Sequence, residues 1–205
     1  MAIISNGTTI ADAGAFSASL GSMTHIKTLT ASNSATLSFV DGASSVVFDD
    51  TYPIYKFEFI NIHPANNEVH LQFNMSLDTG SNYNVTKTSS AFRAEHNEND
   101  GGTNLTYWSS QELKSGTGFI GLAANIGNDN DQCASGSMLL FNPSNTTFLK
   151  HFISRCNLVH NSDITLQHYV AGYGNTTSAI DAIQFKINSG NIGSGQIKMY
   201  GIKDS

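Results

Sequence analysis

The sequence predicts an all-β protein, and three observations lead to that prediction. Apolar and polar side chains alternate without interruption over residues 69–77, which is the period of a strand with one buried face. No window of a dozen residues keeps apolar side chains at the i, i+3, i+4 and i+7 spacing of an amphipathic helix. Turns rich in Gly, Asn, Asp and Ser separate the alternating segments. Such a pattern is typical of a sandwich or barrel, and for 205 residues we expect a two-sheet, lectin-like jelly roll.

The first thirty residues are small and polar. Within them Ile3, Ile4 and Ile10 flank Asn6-Gly7, a pair suited to the positive φ angles of a tight hairpin turn. We interpret residues 1–30 as an extended N-terminal arm or edge hairpin that docks on a neighbouring subunit through these isoleucines. The opening has no basic residue before its apolar ones and no continuous apolar stretch, so we expect a product of the cytoplasm and not a secreted one.

Residues 31–205 are predicted to form a single sandwich domain. Tyr55, Phe57 and Phe59 share one face of a strand, and Ile183, Phe185 and Ile187 share one face of another. Two polar stretches, residues 96–102 and 125–131, are expected to be loops. The expected strands cover residues 37–39, 55–59, 69–77, 83–88, 91–94, 105–108, 138–141, 147–156, 164–170, 180–187 and 196–202.

Composition excludes several classes of protein. Only 13% of the residues are charged and the net charge is −6, so sequence-independent binding to nucleic acid is not expected. The longest apolar runs have four or five residues, whereas a membrane-spanning helix needs about 20. The 40% hydrophobic content argues against a disordered chain.

The motifs of known catalytic sites are absent or out of context. Residues 116–121 match GxGxxG, but no strand precedes them and no helix follows, so we interpret them as a glycine-rich entry to a strand and not as a nucleotide site. The sequence has no GxSxG, HExxH or HxH motif. We therefore predict a protein that is not an enzyme and that needs no cofactor.

Three weaker candidates remain. Asp129 and Asp131 carry hard oxygens that suit Ca²⁺, but the segment lacks the Gly and terminal Glu of an EF-hand, and we favour a surface turn. Tyr107 and Trp108 could stack on a sugar ring, and the alternative for Trp108 is core packing. Cys133 and Cys156 are expected to be free, buried thiols, with a single disulfide as the other possibility.

Several short turn-and-strand motifs are spread over nearly the whole chain. They are residues 4–10 (ISNGTTI), 55–57 (YKF), 61–64 (NIHP), 80–86 (GSNYNVT), 125–129 (NIGND), 150–152 (KHF), 189–192 (SGNI) and 197–202 (IKMYGI). In these motifs the sequence resembles a family of small structural proteins encoded by tailed bacteriophages, especially podovirus-like phages of marine bacteria.

The resemblance implies a non-enzymatic virion protein, either a head decoration or a subunit of a fibre or tail appendage. It implies other virion proteins as partners, a homo-oligomer that is a trimer by analogy, and a place on the phage particle. It carries no active-site residues. The alternative is a carbohydrate-binding module for receptor recognition or adhesion, in which loops 96–102 and 125–131 and Trp108 contact a host glycan.

Overall fold

The backbone consists almost entirely of strands, as the sequence predicts. A computed structural model describes residues 3–5, 8–12, 15–16 and 22–203, and among these the only helical segment is a 3-10 turn at Ser109–Gln111. The strands are β1 (Ile3–Ser5), β2 (Thr8–Asp12), β3 (Ala15–Phe16), β4 (Met23–Ser34), β5 (Thr36–Val40), β6 (Ile54–Pro64), β7 (Val69–Ser76), β8 (Lys87–Asn97), β9 (Thr103–Tyr107), β10 (Ile120–Ile126), β11 (Ala134–Phe141), β12 (Lys150–His160), β13 (Ile164–Gly174), β14 (Ala182–Ile187) and β15 (Ile192–Ile202).

Two antiparallel sheets enclose one hydrophobic core. The smaller has four strands in the order β10-β7-β14-β5, and the larger has eight in the order β4-β15-β6-β11-β12-β13-β8-β9. Aromatic rings join the sheets: Phe57 of β6 lies 5.4 Å from Phe185 of β14, and Phe73 of β7 lies 4.9 Å from Phe152 of β12, measured between ring centroids. The architecture is therefore that of a β-sandwich.

The larger sheet has four more strands than the smaller one. We call β8, β9, β12 and β13 the extension. Strands β8 and β9 are inserted between β7 and β10, and β12 and β13 are inserted between β11 and β14. The two insertions pair with each other, from Ile164 opposite Asn97 to Gly174 opposite Lys87. We call the face of this sheet that is turned away from the smaller sheet the outer face.

The prediction of a strand at residues 83–88 is wrong in its position. Strand β8 begins only at Lys87 and continues without interruption through the segment expected as a separate strand at 91–94. A buried side chain holds the preceding residues instead, because Asn74 Nδ2 donates to the carbonyl of Tyr83 at 2.5 Å. It also donates to the carbonyl of Thr117 at 3.0 Å, which fixes a second loop.

Strand β10 was not expected from the sequence. Residues 120–126 read IGLAANI and show no alternation, because all but Asn125 are buried. A strand covered on both faces loses the period-two signal that marks a half-exposed strand. The glycine-rich residues 116–121 do lead into this strand, which confirms the interpretation of that motif as a strand entry.

The larger sheet includes residues 23–30, which the sequence analysis assigned to the N-terminal arm. Strand β4 starts at Met23 and pairs with β15 from Met23 opposite Ile202 to Ser34 opposite Ile192. Further upstream, β1 pairs with β2 in antiparallel register, with Ser5 opposite Thr8. The turn residues Asn6 and Gly7 lie outside the described residues.

Two further expectations concern the membrane and the thiols. None of the helical segments in the described ranges has the length and hydropathy needed to cross a bilayer. Cys133 and Cys156 are both free, as expected, although only Cys156 is fully buried and Cys133 is partly exposed.

Candidate functional site

The two aromatic residues that were predicted to stack on a sugar lie on opposite sides of the sheet. Tyr107 ends β9 with 59% of its surface exposed, whereas Trp108 is only 7% exposed. Trp108 stacks on the imidazole of His168 at 4.1 Å with an interplanar angle of 16°. The indole is therefore part of the core and offers no face to a ligand, as the core-packing alternative has it. Adjacent strand residues point to opposite faces, which separates the pair.

His168 is a buried, neutral histidine. Burial, together with the nearby charges of Arg93 and His70, lowers its pKa to about 3. The backbone N–H of Ala124 donates to Nδ1 at 3.4 Å, which makes Nδ1 the acceptor and leaves the proton on Nε2. Within the described residues Nε2 has no hydrogen-bond partner. A histidine so far from titration at neutral pH supports packing and not proton transfer.

Lys87 and Lys150 are also buried, and neither forms an ion pair with a carboxylate within the described ranges. Lys150 Nζ donates to the backbone carbonyls of Phe148 at 2.7 Å, Thr177 at 3.5 Å and Asn145. It thereby ties together the two loops that precede β12 and β14. Burial lowers the pKa of Lys150. Since backbone oxygens surround the ammonium group, the lysine holds loops in place and is not open to a substrate.

The calcium candidates Asp129 and Asp131 occupy the turn between β10 and β11. Both residues are exposed, and the turn is held by Gln132, whose backbone N–H donates to the carbonyl of Asp129 at 2.9 Å. Among residues 3–5, 8–12, 15–16 and 22–203, no group of three or more His, Cys, Asp or Glu side chains is placed to hold a metal ion. This geometry agrees with the surface-turn alternative.

The docking candidates Ile3 and Ile4 belong to β1 and Ile10 belongs to β2. Their backbones pair in the small three-stranded sheet β1-β2-β3. Their side chains lie outside the described part of the structure, so the docking role of these three residues stays a prediction.

A hollow lies on the outer face of the extension. Residues of β8, β13 and β12 form its floor in one cross-strand row, with Ser90 opposite Ala171 and Ala171 opposite Ile153. Small side chains occupy the middle of this row, whereas Ile153 at its end is 53% exposed. Larger side chains stand on both sides. We call the resulting depression the outer groove.

Two aromatic pairs form the walls of the outer groove. On one side Phe92 and Tyr169 are cross-strand partners whose rings stack at 4.7 Å with an interplanar angle of 9°. On the other side Tyr173 is the partner of His151, with ring centroids 6.0 Å apart. Tyr169 and Tyr173 are four positions apart on β13, a separation of about 13 Å at the rise of a strand. That width accommodates one extended polymer chain.

The groove is large enough for a ligand and mostly apolar. The part between Ser90, Ile153 and the Tyr173 wall has a volume of about 540 Å³, and a smaller hollow of about 150 Å³ adjoins it on the Phe92 side. Hydroxyl groups of Thr88, Ser90 and Tyr173 lie along the larger part. An apolar cleft with a few polar groups is the usual form of a ligand site.

The sequence could not have shown this site. Its residues come from three strands that are distant in sequence, and only the registers of β8, β13 and β12 bring them into adjacent rows. The sequence shows that Phe92 and Tyr169 are aromatic, but it does not show that they are cross-strand partners. The loops 96–102 and 125–131, which were the predicted glycan contacts, do not line the outer groove.

Comparison with known proteins adds no relative from which a function could be transferred. No family model matches the chain, and neither the curated proteins nor the solved structures contain a significant match.

Proposed function

We propose that this chain is a non-enzymatic structural protein of a bacteriophage virion, either a head decoration or a subunit of a fibre or tail appendage. The observation that carries the proposal is the sandwich itself, in which strands with short turns bury one continuous core. The resemblance in sequence texture to phage virion proteins points the same way. Folds of this kind serve attachment and assembly in many viral particles.

The proposal includes a jelly-roll topology for the sandwich. If the extension is set aside, the larger sheet reads β4-β15-β6-β11 and the smaller reads β5-β14-β7-β10. The chain alternates between the two sheets from β4 to β7, remains in the smaller sheet from β7 to β10, and alternates again through β11, β14 and β15. The first core strand then pairs with the last, and the second with the second to last. These pairings are those of an eight-stranded jelly roll with two insertions.

The proposal includes a homo-oligomer of the chain in the virion, and we propose a trimer by analogy alone. The free edge of β9 is the contact that we expect between copies. Trp108 N–H donates to the Ala91 carbonyl at 2.8 Å, so bonded pairs fall on alternate residues of β9. Thr103, Leu105 and Tyr107 consequently turn their backbone groups outward. The strand carries no charge and no proline, which are the usual protections of an edge.

Gold-labelled antibodies on intact phage particles test the virion proposal. Label on the head, the tail or a fibre supports it and gives the location, whereas purified particles without label contradict it. The N-terminal docking role needs a separate deletion. Because β4 begins at Met23, the deletion should remove residues 1–20 and not 1–30, which would take away part of an edge strand. We expect a folded protein that no longer enters particles.

A second candidate function is carbohydrate binding for receptor recognition, and the outer groove favours it. Exposed aromatic side chains beside hydroxyl groups suit the apolar faces and the hydroxyls of a sugar. Replacing Tyr169 by Ser should abolish retention on a glycan column, because it removes half of the stacked wall. Replacing Trp108 by Phe is the matched control, since Trp108 is buried on the other side of the sheet. Equal loss in both variants would contradict the assignment of the groove.

A further inference from the structure

The outer face of the larger sheet carries an unusual balance of charge for this protein. The whole chain has 16 acidic and 10 basic residues, yet on strands β6, β12 and β15 the outer face carries three cations, Lys56, Arg155 and Lys198, and one carboxylate, Glu58. At the β8–β9 end of the sheet, two loop carboxylates reach outer-face side chains, Asp100 at His96 and Glu112 at the Tyr107 hydroxyl. Cations therefore outnumber carboxylates on the β12 side of the groove, in a chain with a net charge of −6. The outer groove lies on this face.

The three cations differ in how close a carboxylate lies to each of them. Lys56 Nζ lies 2.7 Å from Glu58 Oε1, and Lys198 is the cross-strand partner of Glu58 on the neighbouring strand. Arg155 has no ion-pair partner within 4.0 Å among the described residues. In the same row of the sheet, Ser137 separates Arg155 from Glu58. Lys198 likewise has no ion pair within 4.0 Å among the described residues, but Glu58 is its cross-strand neighbour, whereas the cross-strand neighbours of Arg155 are Ser137 and Tyr169. Arg155 is therefore the cation on these strands that has neither an ion pair nor a carboxylate as cross-strand neighbour.

Arg155 stands at the rim of the outer groove. It is the cross-strand partner of Tyr169 in the aromatic wall, and it follows Ile153 on the same face of β12. A guanidinium binds carboxylate or sulfate groups through parallel N–H donors, which fixes orientation as well as charge. A ligand that lies along the groove would meet apolar rings, hydroxyl groups and one cation in sequence.

We infer that the outer groove binds an acidic glycan, and that Arg155 recognises the carboxylate or sulfate groups of its sugars. This inference rests on the carbohydrate-binding candidate and names its ligand class. The groove supplies the apolar rings and the hydroxyls for the sugar, and Arg155 supplies the counter-charge. Three cations on the face are too few for nucleic acid, where proteins commonly make about 6–10 phosphate contacts.

Calorimetry with matched oligosaccharides tests the inference. The probes are a galacturonate hexamer and its carboxyl-reduced form, with dextran sulfate and plain dextran as a second pair. We expect at least one acidic probe to bind, and its neutral counterpart to bind at least about tenfold more weakly. Arg155→Gln should lose a similar factor for the acidic probe only. Since Arg155 is exposed on a strand, the variant should keep the wild-type circular dichroism spectrum.

Two further variants and one further probe sharpen the result. Arg155→Lys keeps the charge and loses the planar fork, so its affinity should fall between those of the wild type and Arg155→Gln. Lys198→Gln removes an equal charge three strands away and should have little effect. Single-stranded DNA should bind more weakly than the acidic glycan.

The outcomes separate the inference from the function on which it rests. Equal affinity for acidic and neutral probes, or undiminished binding by Arg155→Gln, overturns the assignment of an acidic ligand and leaves carbohydrate binding standing. DNA binding as tight as that of the glycan also overturns it, because it reveals a general preference for polyanions. Binding of none of the four oligosaccharide probes overturns both.

Discussion

Lys87 and Lys150 lie on either side of Gly174 in one row of the larger sheet, and both lysine side chains are buried. Lys87 Nζ donates to the carbonyl of Val85 at 2.6 Å and to the side-chain oxygen of Asn74. Neutral oxygens thus replace water around an ammonium group, without an opposing charge. Burial accordingly lowers the pKa of Lys87 from 10.5 to about 7.

The lowered pKa of Lys87 predicts a stability that rises with pH. Between pH 7 and 10.5 the unfolded chain holds a proton that the folded protein has lost, so the free energy of unfolding increases through this range. From pH 7 to 9.5 the wild type should gain about 3 kcal/mol relative to Lys87→Met. Urea denaturation at several pH values measures this difference. Lys114→Met alters an exposed lysine and should leave the pH dependence unchanged.

His168 predicts a dependence of the same sign at lower pH, namely a loss of stability as the pH falls into the acid range. Its pKa lies near 3 in the folded protein and near 6.5 in the unfolded chain, so the unfolded chain takes up the proton first as the pH falls. From pH 7 to 4 the wild type should lose about 3 kcal/mol more than His168→Phe, which keeps a ring against Trp108. Chemical denaturation followed by the fluorescence of this sole tryptophan measures the loss. The exposed His25→Asn variant should follow the wild type, and an identical loss in His168→Phe would contradict the assignment.

Gly136 predicts a steric effect inside the larger sheet. An added Cβ would lie 2.7 Å from Cys156 Cα and would also press on the Arg155 carbonyl, both of which are backbone atoms that cannot rotate away. Gly136→Ala should therefore lower the free energy of unfolding by about 2 kcal/mol. Gly118→Ala is the matched control, since nothing lies within 4 Å of its added Cβ. Similar denaturation midpoints for the two variants would show that the strand can shift to make room.

The free edge of β9 predicts the effect of one charge on association. Leu105 is 72% exposed in the middle of this strand, so Leu105→Lys should weaken pairing between copies without disturbing the core. Light scattering during gel filtration measures the mass of the assembly. Thr30→Lys adds the same charge to β4 at the opposite edge of the sheet and should leave the mass unchanged. Dissociation by Thr30→Lys alone would move the contact from β9 to β4.

How far the sequence predicts the structure depends on what covers each strand. The core face expected for residues 69–77 is confirmed as far as Met75, because Val69, Leu71, Phe73 and Met75 are buried, whereas Leu77 lies beyond the end of β7 and is 43% exposed. Lys87 looked like an ordinary polar strand residue, and only the loops that close over it bury its ammonium group. Burial by distant segments leaves no trace in a local pattern.

The candidate site was beyond sequence reasoning for a related reason. Tyr107 and Trp108 attracted attention as neighbours in the chain, but neighbours on a strand face opposite sides. Phe92, Tyr169 and Arg155 are far apart in the chain and adjacent in the sheet. Cross-strand register decides such a site, and pairing between two insertions follows from no short-range signal.

The mutual pairing of the two insertions has a consequence for the evolution and engineering of this protein. Strands β13 and β8 pair along their whole length, so each insertion supplies one neighbour to the inner strand of the other. Deleting one insertion would leave a long strand edge with unpaired backbone N–H and C=O groups on the other. The two insertions should consequently be inherited, exchanged or redesigned together, even though residues 108–149 separate them in the chain.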